Sequence, residues 1–454
     1  MGSNSLTGKQ RLFRHLAAFA AVVAMGLSAT FAQAQSLIRD AEIEQTLVRI
    51  ARPVYRSAGT SPDTVELLVV NSSVLNAFVV NGRAVFLHYG LITRLDTVPM
   101  LQAVIGHELA HITSGHLVRR SLNQQSATTA MGVGMLLGLA AAASGNGKAA
   151  GAITAGTAAS AIRNFLAHTR AEEATADRIG TQYLVRAGVD PAAAVEVLEI
   201  FRGQEALSIS RQDPYAQSHP LSRERIRALK GQIAAYGGKS GKPSAELVYW
   251  HARMQAKFRG FTGNPTYLLR KAKKSDTSEP TTMLRAIAYH RQGNMKAALA
   301  EMNKLLGKRP RDPFYHELKG QILLEGRHVG PAVTSYKTAV SLAPKEALIL
   351  AGYGRALLSL KTNSGNKQAL SILRKARSMD PRDARMLRDL AVAWAKAGNN
   401  GMASLVTAER YALLTRFKDA RTNALRAEGL LPRGSAGWLR AQDIIGATRS
   451  LAKK

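Results

Sequence analysis

The most informative stretch of the sequence is His107-Glu108-Leu109-Ala110-His111. It lies in a run whose apolar residues recur at helical spacing, so the run is predicted to form an α-helix. Residues four apart on a helix share a face, and both imidazoles can therefore hold one zinc ion. Glu108 stands beside these ligands, where it can take a proton from a water molecule at the metal. Such a site needs a third ligand further along the chain.

A second helical segment offers that ligand. It runs from Arg170 to Asp177 and places Glu173 four residues before the aspartate. The two carboxylates share a helix face, so Glu173 can bind the metal while Asp177 accepts the second ring N–H of a ligand histidine and fixes its tautomer. His116 is nine residues from His107. It is therefore close to half a turn out of phase and is predicted to point away from the metal.

With both motifs in place, the chain resembles the zinc metallopeptidases of the HtpX/Ste24/Oma1 type. Those enzymes share His-Glu-x-x-His and a later Glu-x-x-Ala-Asp, which match His107–His111 and Glu173–Asp177 here. The chain is most similar to a periplasmic branch that carries tetratricopeptide repeats, and the resemblance extends over about residues 36–450. It implies that Glu108 is the general base. It also implies one zinc ion per chain, held by three side chains: His107, His111 and Glu173.

A β-hairpin is predicted before the metal helix, because β-forming runs flank a turn at Asn81-Gly82. In its first arm, Asn76, Ala77 and Phe78 resemble the family's strand beside the metal. The exposed edge of such a strand can pair with an extended substrate backbone. The segment can also be a purely structural hairpin, and the two interpretations are compatible.

The segment Ser218-His219-Pro220 resembles the His-Pro segment of the family. His219 can approach the zinc as a fourth ligand, or it can polarise the substrate carbonyl as a catalytic group. It can also simply end a loop, because a proline at the next position suits the start of a helix. Arg225 is a further candidate, with the role of steadying this region.

The first 34 residues are typical of an export signal. Three basic residues precede a short apolar core, and a small-x-small cleavage site ends at Ala34. The core is short for a membrane span, so cleavage after Ala34 and a periplasmic mature chain are expected. The chain has no cysteine and therefore no disulfide bond. This absence neither requires nor excludes export.

An Ala- and Gly-rich insert separates the two metal motifs. Residues 121–162 carry a single charge, on Lys148, and are predicted to form two helices of small residues. They can form a lid over the active site or a hairpin on the membrane surface, which would attach the protein peripherally. Two buried packing helices are the alternative. If the insert spanned a bilayer, the protein would be an integral membrane peptidase.

Repeats follow a Gly- and Lys-rich linker at Tyr236–Ser244. Pro310, Pro344 and Pro381 mark equivalent repeat ends, with spacings of 34 and 37 residues that are typical of tetratricopeptide repeats. Stacked helix pairs of this kind build a curved binding groove. The unit at 313–346 has small or aromatic residues where such repeats need them: Gly320, Ala332, Tyr336 and Ala339.

The positive charge is concentrated in the repeat region. Of the formal net charge of +31, residues 241–454 contribute +24, with 39 basic and 15 acidic side chains. Such a field favours anionic partners, which for an exported protein are acidic polypeptides or an anionic envelope surface. No aromatic-rich RNA-binding signature accompanies the charge, so no nucleic acid partner is expected.

The sequence therefore predicts a mostly α protein with a small β-sheet. An α+β zincin peptidase domain at residues 35–240 is followed by an all-α tetratricopeptide-repeat solenoid at residues 241–454. The resemblance implies an exported endopeptidase that degrades misassembled envelope or outer-membrane proteins. Its partners would be unfolded envelope proteins and the outer-membrane assembly machinery. The alternative function is a repeat-based envelope chaperone or adaptor whose zinc site is latent or regulatory.

Overall fold

The computed structural model describes most of the chain: residues 37–116, 170–207, 211–220, 223–236, 241–273 and 275–449. The predicted export signal and the predicted insert at 121–162 lie outside the described residues. Within the described ranges, no helix combines the length and apolarity needed to cross a membrane.

A four-stranded sheet opens the described chain. Its strands are β1 (Leu37–Ile38), β2 (Glu66–Val70), β3 (Ala77–Asn81) and β4 (Ala84–His88). They lie in the order β1-β2-β4-β3, with β2 parallel to β4 and β3 antiparallel to it. The predicted hairpin is thus confirmed as β3–β4, and β3 forms one edge of the sheet as described.

Seven helices accompany the sheet in the part of the chain before residue 237 that the structure describes. They are α1 (Ala41–Ser57), α2 (Tyr89–Arg94), α3 (Val98–Thr113), α4 (residues 170–186), α5 (Ala192–Ile200), α6 (Pro214–Ser218) and α7 (Arg223–Ala235). Thr97 caps α3 by accepting a hydrogen bond from the backbone N–H of Met100. Nearly every residue of α3 is buried, because the helix is covered on all sides, and both of its histidines therefore lie inside the protein.

Paired helices fill the rest of the chain. They are α8 (Ala245–Thr262), α9 (Pro265–Lys271), α10 (Glu279–Arg291), α11 (Met295–Lys308), α12 (Pro313–Glu325), α13 (Val329–Leu342), α14 (Ala347–Ser359), α15 (Asn363–Met379), α16 (Ala384–Lys396), α17 (Asn400–Leu413), α18 (Phe417–Leu430) and α19 (Ala436–Ala447). Tyr336 packs between Gly320 and Gly352, where an added Cβ would lie 2.7 Å and 2.5 Å from its ring. Close helix packing therefore requires a glycine at position 320, one of the small residues predicted for the repeats. The predicted fold class is confirmed.

The chain divides into two compact units. One comprises residues 37–389, and the other includes residues 390–449. In the second unit, helices α17, α18 and α19 pack around a small core of Leu405, Ala427 and Ala441.

Helix α8 packs into the core beside the metal helix, although it follows the predicted linker. Met254 and Phe258 are at most 2 % exposed and belong to the same hydrophobic cluster as the residues of α3. The side-chain amide of Gln255 donates hydrogen bonds to the carbonyls of Ile92 at 2.6 Å and Leu95 at 3.0 Å. The domain boundary at 240/241 stays a prediction. Helix α8, the first helix beyond it, packs into the hydrophobic core that contains α3.

Candidate metal centre

Two helices, and the residue that directly follows a third, bring four potential metal ligands together. His107 and His111 lie on α3, Glu173 lies on α4, and His219 directly follows α6. All four are buried, and their ligating atoms lie within 4.8 Å of one another. Helices α3 and α4 approach closely at Gly180, where an added Cβ would be 3.2 Å from the Cα of His107. This close approach brings the carboxylate of Glu173 within reach of both histidines.

The distances between the donor atoms fit a tetrahedral zinc site. His107 Nε2 lies 3.1 Å from His111 Nε2 and 3.2 Å from His219 Nδ1. The Glu173 carboxylate lies 3.2 Å from His111 Nε2 and 3.0 Å from His219 Nδ1. Zinc–nitrogen bonds of about 2.0–2.1 Å give a tetrahedron with edges of about 3.3 Å, which is close to the separations found here. Imidazole and carboxylate are also the donor types that zinc prefers in proteins.

The charge balance of the cluster also fits a divalent cation. Glu108, Glu173 and Asp177 can carry three negative charges, against one positive charge on Arg225, and all four side chains are about 90 % buried or more. Burial opposes a charge on His219, but the carboxylates of Glu173 and Glu108 outweigh it and raise the pKa of that imidazole to about 10. The field at the centre of the cluster therefore favours positive charge.

Asp177 contacts one of the histidines, His107. Its Oδ1 lies 3.2 Å from the Nδ1 of His107, the ring nitrogen that faces away from the other donors. Arg225 holds this carboxylate with two hydrogen bonds, at 2.5 Å and 2.8 Å, and also reaches Glu173 at 3.1 Å. Burial alone would raise the pKa of Asp177, but the charge of Arg225 lowers it to about 2.

Glu108 has the environment of a general base. Its side chain is fully buried, and neither carboxylate oxygen has a hydrogen-bond partner among the described residues. Burial would raise its pKa, but the neighbouring imidazoles, His219 first, lower it and keep the group ionised. An ionised carboxylate with free lone pairs beside the donor set can accept a proton.

His219 lies between the donor set and Glu108. Its Nδ1 faces Glu173, while its Nε2 lies 3.3 Å from Glu108 Oε1. The backbone N–H of His219 donates to the carbonyl of Tyr215 at 2.8 Å, and the two rings are 4.6 Å apart. Arg225 donates to the carbonyls of His219 and Pro220, so both ends of this short segment are held. The structure thus brings His219 into the cluster and places Arg225 against it.

The predicted substrate strand borders the same region. The carbonyl of Leu75 accepts a hydrogen bond from the backbone N–H of Tyr215 on α6, and Ser218 contacts the Asn76 side chain at 3.5 Å. Ala77 is buried, and Phe78 stacks on Phe86 with ring centroids 5.1 Å apart. The strand therefore runs next to α6, the helix that His219 follows.

His116 is placed differently from its helical-wheel prediction. Its Nδ1 lies 3.0 Å from the Nδ1 of His111, so the side chain packs against a candidate ligand. His116 is not one of the four donors, but the helical wheel missed its contact with His111 because it continued the helix through residue 116. Helix α3 ends at Thr113, and Gly115 then adopts a φ of +66° that turns the chain back. A glycine shortly after the last apolar helical residue was the available signal.

Comparison with known proteins agrees with this arrangement. Residues 38–233 match peptidase family M48. The chain is 26 % identical over 422 residues to the β-barrel assembly-enhancing protease of Escherichia coli (strain K12), covering 92 % of this chain and 85 % of that protein. It is 29 % identical over 185 residues to the mitochondrial metalloendopeptidase OMA1 of Schizosaccharomyces pombe, covering 40 % and 50 %.

Among solved structures, a thermophilic TPR protein from Thermus thermophilus aligns with 37 % of this chain and 99 % of its own, at 20 % identity and a TM-score of 0.28. The buried donor set and the sequence match to known peptidases lead to the same assignment. This chain is a metalloprotease whose residues 38–233 match peptidase family M48.

Proposed function

We propose that this chain is an exported, zinc-dependent endopeptidase that degrades misassembled envelope or outer-membrane proteins. The observation that carries the proposal is the meeting of four buried metal-type donors with the buried carboxylate of Glu108, which lies 3.3 Å from His219. The substrate class is supported by the Escherichia coli relative, which is named for enhancing β-barrel assembly. Export of the mature chain to the periplasm, with cleavage after Ala34, belongs to the same proposal. So do contact of residues 121–162 with a membrane surface and an encounter with the outer-membrane assembly machinery.

In this proposal, His107, His111 and Glu173 hold one zinc ion per chain. A zinc ion bound there supplies a Lewis acid that polarises the scissile carbonyl and lowers the pKa of water. Glu108 accepts the proton of the attacking water and later delivers it to the leaving amine. Asp177 keeps the proton of His107 on Nδ1, so that its Nε2 lone pair points to the metal position.

His219 has a separate role, which is to restrain the resting enzyme. Its Nδ1 lies as close to Glu173 and His107 as a fourth ligand would, while a catalytic zinc site needs one open position. Withdrawal of this side chain would free the position for water or the substrate carbonyl. Its contact with Glu108 would be broken in the same movement, which would free the base.

Two surfaces would bind the protein substrate. The edge strand at Asn76, Ala77 and Phe78 would pair with an extended backbone, because an open sheet edge presents unpaired N–H and C=O groups. The repeats would attract acidic segments of the same substrate through their positive charge.

The repeats contain one concentrated cationic cluster, which we name the arginine cluster: Arg355, Arg385 and Arg388. Arg355 and Arg388 both bind the buried Asp389, at 2.6 Å and 2.9 Å. Arg385 lies one helical turn from Asp389 and is exposed. Partial burial of the Arg385 guanidinium lowers its pKa, and the charges of Arg355 and Arg388 lower it further. Three arginines stand beside one buried aspartate at this point, so positive charge is in excess, which suits a substrate carboxylate.

The substitution Glu108→Gln tests the proposed function. We expect wild type and variant each to contain one zinc ion by elemental analysis, because a base is removed but no ligand. Only wild type should then cleave an unfolded protein such as β-casein. Glu224→Gln, which changes an exposed glutamate on α7, is the matched control and should cleave like wild type. Absence of zinc from wild type, or equal cleavage by Glu108→Gln, would overturn the proposal. Suppression of aggregation without any cleavage by wild type would favour the chaperone or adaptor function.

A further inference from the structure

The end of helix α3 is built so that the chain folds back onto the metal centre. The backbone N–H of Ser114 donates to the carbonyl of Ala110 at 3.0 Å, and that of Gly115 donates to the carbonyl of Ile112 at 3.1 Å. Gly115 has a φ of +66°, in the left-handed region that glycine adopts without a steric penalty. The next residue, His116, therefore lies over the last turn of the helix and is only 1 % exposed.

His116 contacts His111 through one specific pair of atoms. The Nδ1 atoms of the two rings are 3.0 Å apart, and the rings meet edge to face with centroids separated by 5.0 Å. His111 turns its other nitrogen, Nε2, to the donor set, where it lies 3.2 Å from Glu173. The Nδ1 of His111 thus contacts His116, while its Nε2 faces the donor set.

The protons on these two rings are coupled. A neutral imidazole carries one N–H, and a nitrogen that binds a metal must be free of it. With Nε2 of His111 at the metal position, its proton must lie on Nδ1. This N–H can donate only to a proton-free Nδ1 on His116, whose own proton is then on Nε2. The contact therefore selects one tautomer for each ring.

We infer that His116 is a positioning residue that holds His111 as an Nε2 ligand. His116 accepts the Nδ1–H of His111, as Asp177 accepts the Nδ1–H of His107. This inference rests on the proposed zinc role of His111. The two orienting groups differ in charge. Asp177 is an anion that Arg225 neutralises through two hydrogen bonds. His116 offers an imidazole nitrogen in place of a carboxylate, so it orients its ligand without adding a further negative charge to a buried cluster that already contains three carboxylates.

Two isosteric amides test the inference. In His116→Asn, the side-chain oxygen lies about where Nδ1 lies in histidine, so an acceptor for His111 is kept. In His116→Gln, the amide is one carbon further from the backbone and cannot reach the same point. We expect His116→Gln to weaken zinc binding about 10- to 100-fold, as the loss of an orienting group does, and His116→Asn to stay within about threefold of wild type. The dissociation constant is measured on full-length protein by competition with a chromophoric chelator.

Cobalt substitution supplies a second reading that is independent of activity. The visible spectrum of bound Co²⁺ depends on ligand geometry and should change in His116→Gln but match wild type in His116→Asn. Equal affinity of wild type and both amide variants would overturn the inference, and so would equal weakening in both. Failure of wild type to bind zinc would instead overturn the proposed function, so the two failures are distinguishable.

Gly115 offers a matched pair of its own. Gly115→Ala places a side chain at a φ of +66°, and no atom of the described residues lies within 4 Å of the new Cβ, so the change among them is conformational only. Gly59 has the same φ and equally open surroundings at the end of α1, and Gly59→Ala is therefore the control for backbone strain. We expect weaker zinc binding in Gly115→Ala alone, because only that turn aims His116. Equal zinc affinity of the two alanine variants would show that the turn does not position this residue.

Discussion

The Nδ1 atom of His107 lies 3.2 Å from Oδ1 of Asp177, and both oxygens of that carboxylate are bound by Arg225. A buried chain of guanidinium, carboxylate and imidazole therefore leads to the metal position. Its carboxylate is the only member that can accept the His107 N–H. The orientation of His107 thus depends on one acceptor, and Asp177 can be tested by an isosteric change.

Asp177→Asn should weaken zinc affinity by about 10- to 100-fold without removing a ligand. Asparagine keeps an oxygen for His107, but it loses the negative charge that strengthens this hydrogen bond, and it removes one anionic partner of Arg225. The dissociation constant for zinc gives the result, with the exposed Asp63→Asn as control. An unchanged zinc affinity in Asp177→Asn would remove Asp177 from the role of orienting group.

The pairing of residues in the candidate site could be predicted because their spacing is local. His107 with His111, and Glu173 with Asp177, are four apart, and any helix through them puts each pair on one face. The hairpin at β3–β4 was equally local, since the turn residues and the alternation around them are adjacent in the chain. These elements keep the geometry that their own sequence requires, whatever packs around them.

The contacts of His116, His219 and Phe258 could not be obtained in this way. The position of His116 depends on where α3 ends and on the φ of Gly115, and a helical wheel contains neither. His219 reaches the donor set because of where α6 packs, which is a tertiary property. Phe258 lies beyond a Gly-rich linker that suggests a boundary, yet it is buried with the residues of α3.

His219→Ala should raise the basal rate of cleavage while zinc content stays constant. The side chain lies where a fourth ligand would lie and contacts the base, so its removal should open both groups to water and substrate. The initial rate of β-casein cleavage measures the effect, and His328→Ala, at an exposed histidine, is the control. A lower rate with full zinc content would make His219 a group that stabilises the transition state and would exclude the restraining role.

Phe258→Ala should destabilise the peptidase core, although the residue lies after the predicted linker. Its ring is 2 % exposed and lies 6.3 Å from that of Tyr89 on α2. Truncation of a buried phenylalanine costs about 3–5 kcal/mol, so the midpoint of urea unfolding should fall clearly. Val248→Ala changes an exposed residue of the same helix and should alter stability by less than about 0.5 kcal/mol. Equal unfolding midpoints for the two variants would show that α8 does not support this core.

Glu317 should make the stability of the first unit fall as pH rises. Burial raises the pKa of this carboxyl to about 7; Lys257 opposes the shift, while Asp40 and Glu42 add to it. Since the unfolded value is near 4.5, the folded chain binds more protons between these limits. The stabilisation is therefore complete below about pH 4.5 and is lost as pH rises through about 7.

Glu317→Gln should remove this dependence and be more stable than wild type at pH 8, by up to about 3 kcal/mol, with a smaller difference at pH 5. Urea unfolding at the two pH values measures the effect, and Glu246→Gln, at a largely exposed glutamate on α8, is the control. A difference from wild type that is the same at both pH values would mean that Glu317 does not titrate in this range.

The arginine cluster should select acidic protein substrates without taking part in peptide-bond hydrolysis. Arg385→Glu should raise KM for β-casein at low salt by at least about threefold, because it reverses a charge in a field that attracts carboxylates. The difference from wild type should shrink as salt screens the interaction. Hydrolysis of a short uncharged peptide should stay at the wild-type rate, since Arg385 belongs to neither metal motif. Lys337→Glu makes the same change of charge at an exposed position on α13 and is the matched control. If the two variants cleave β-casein with the same KM, net charge alone governs substrate binding and the arginine cluster has no special part in it.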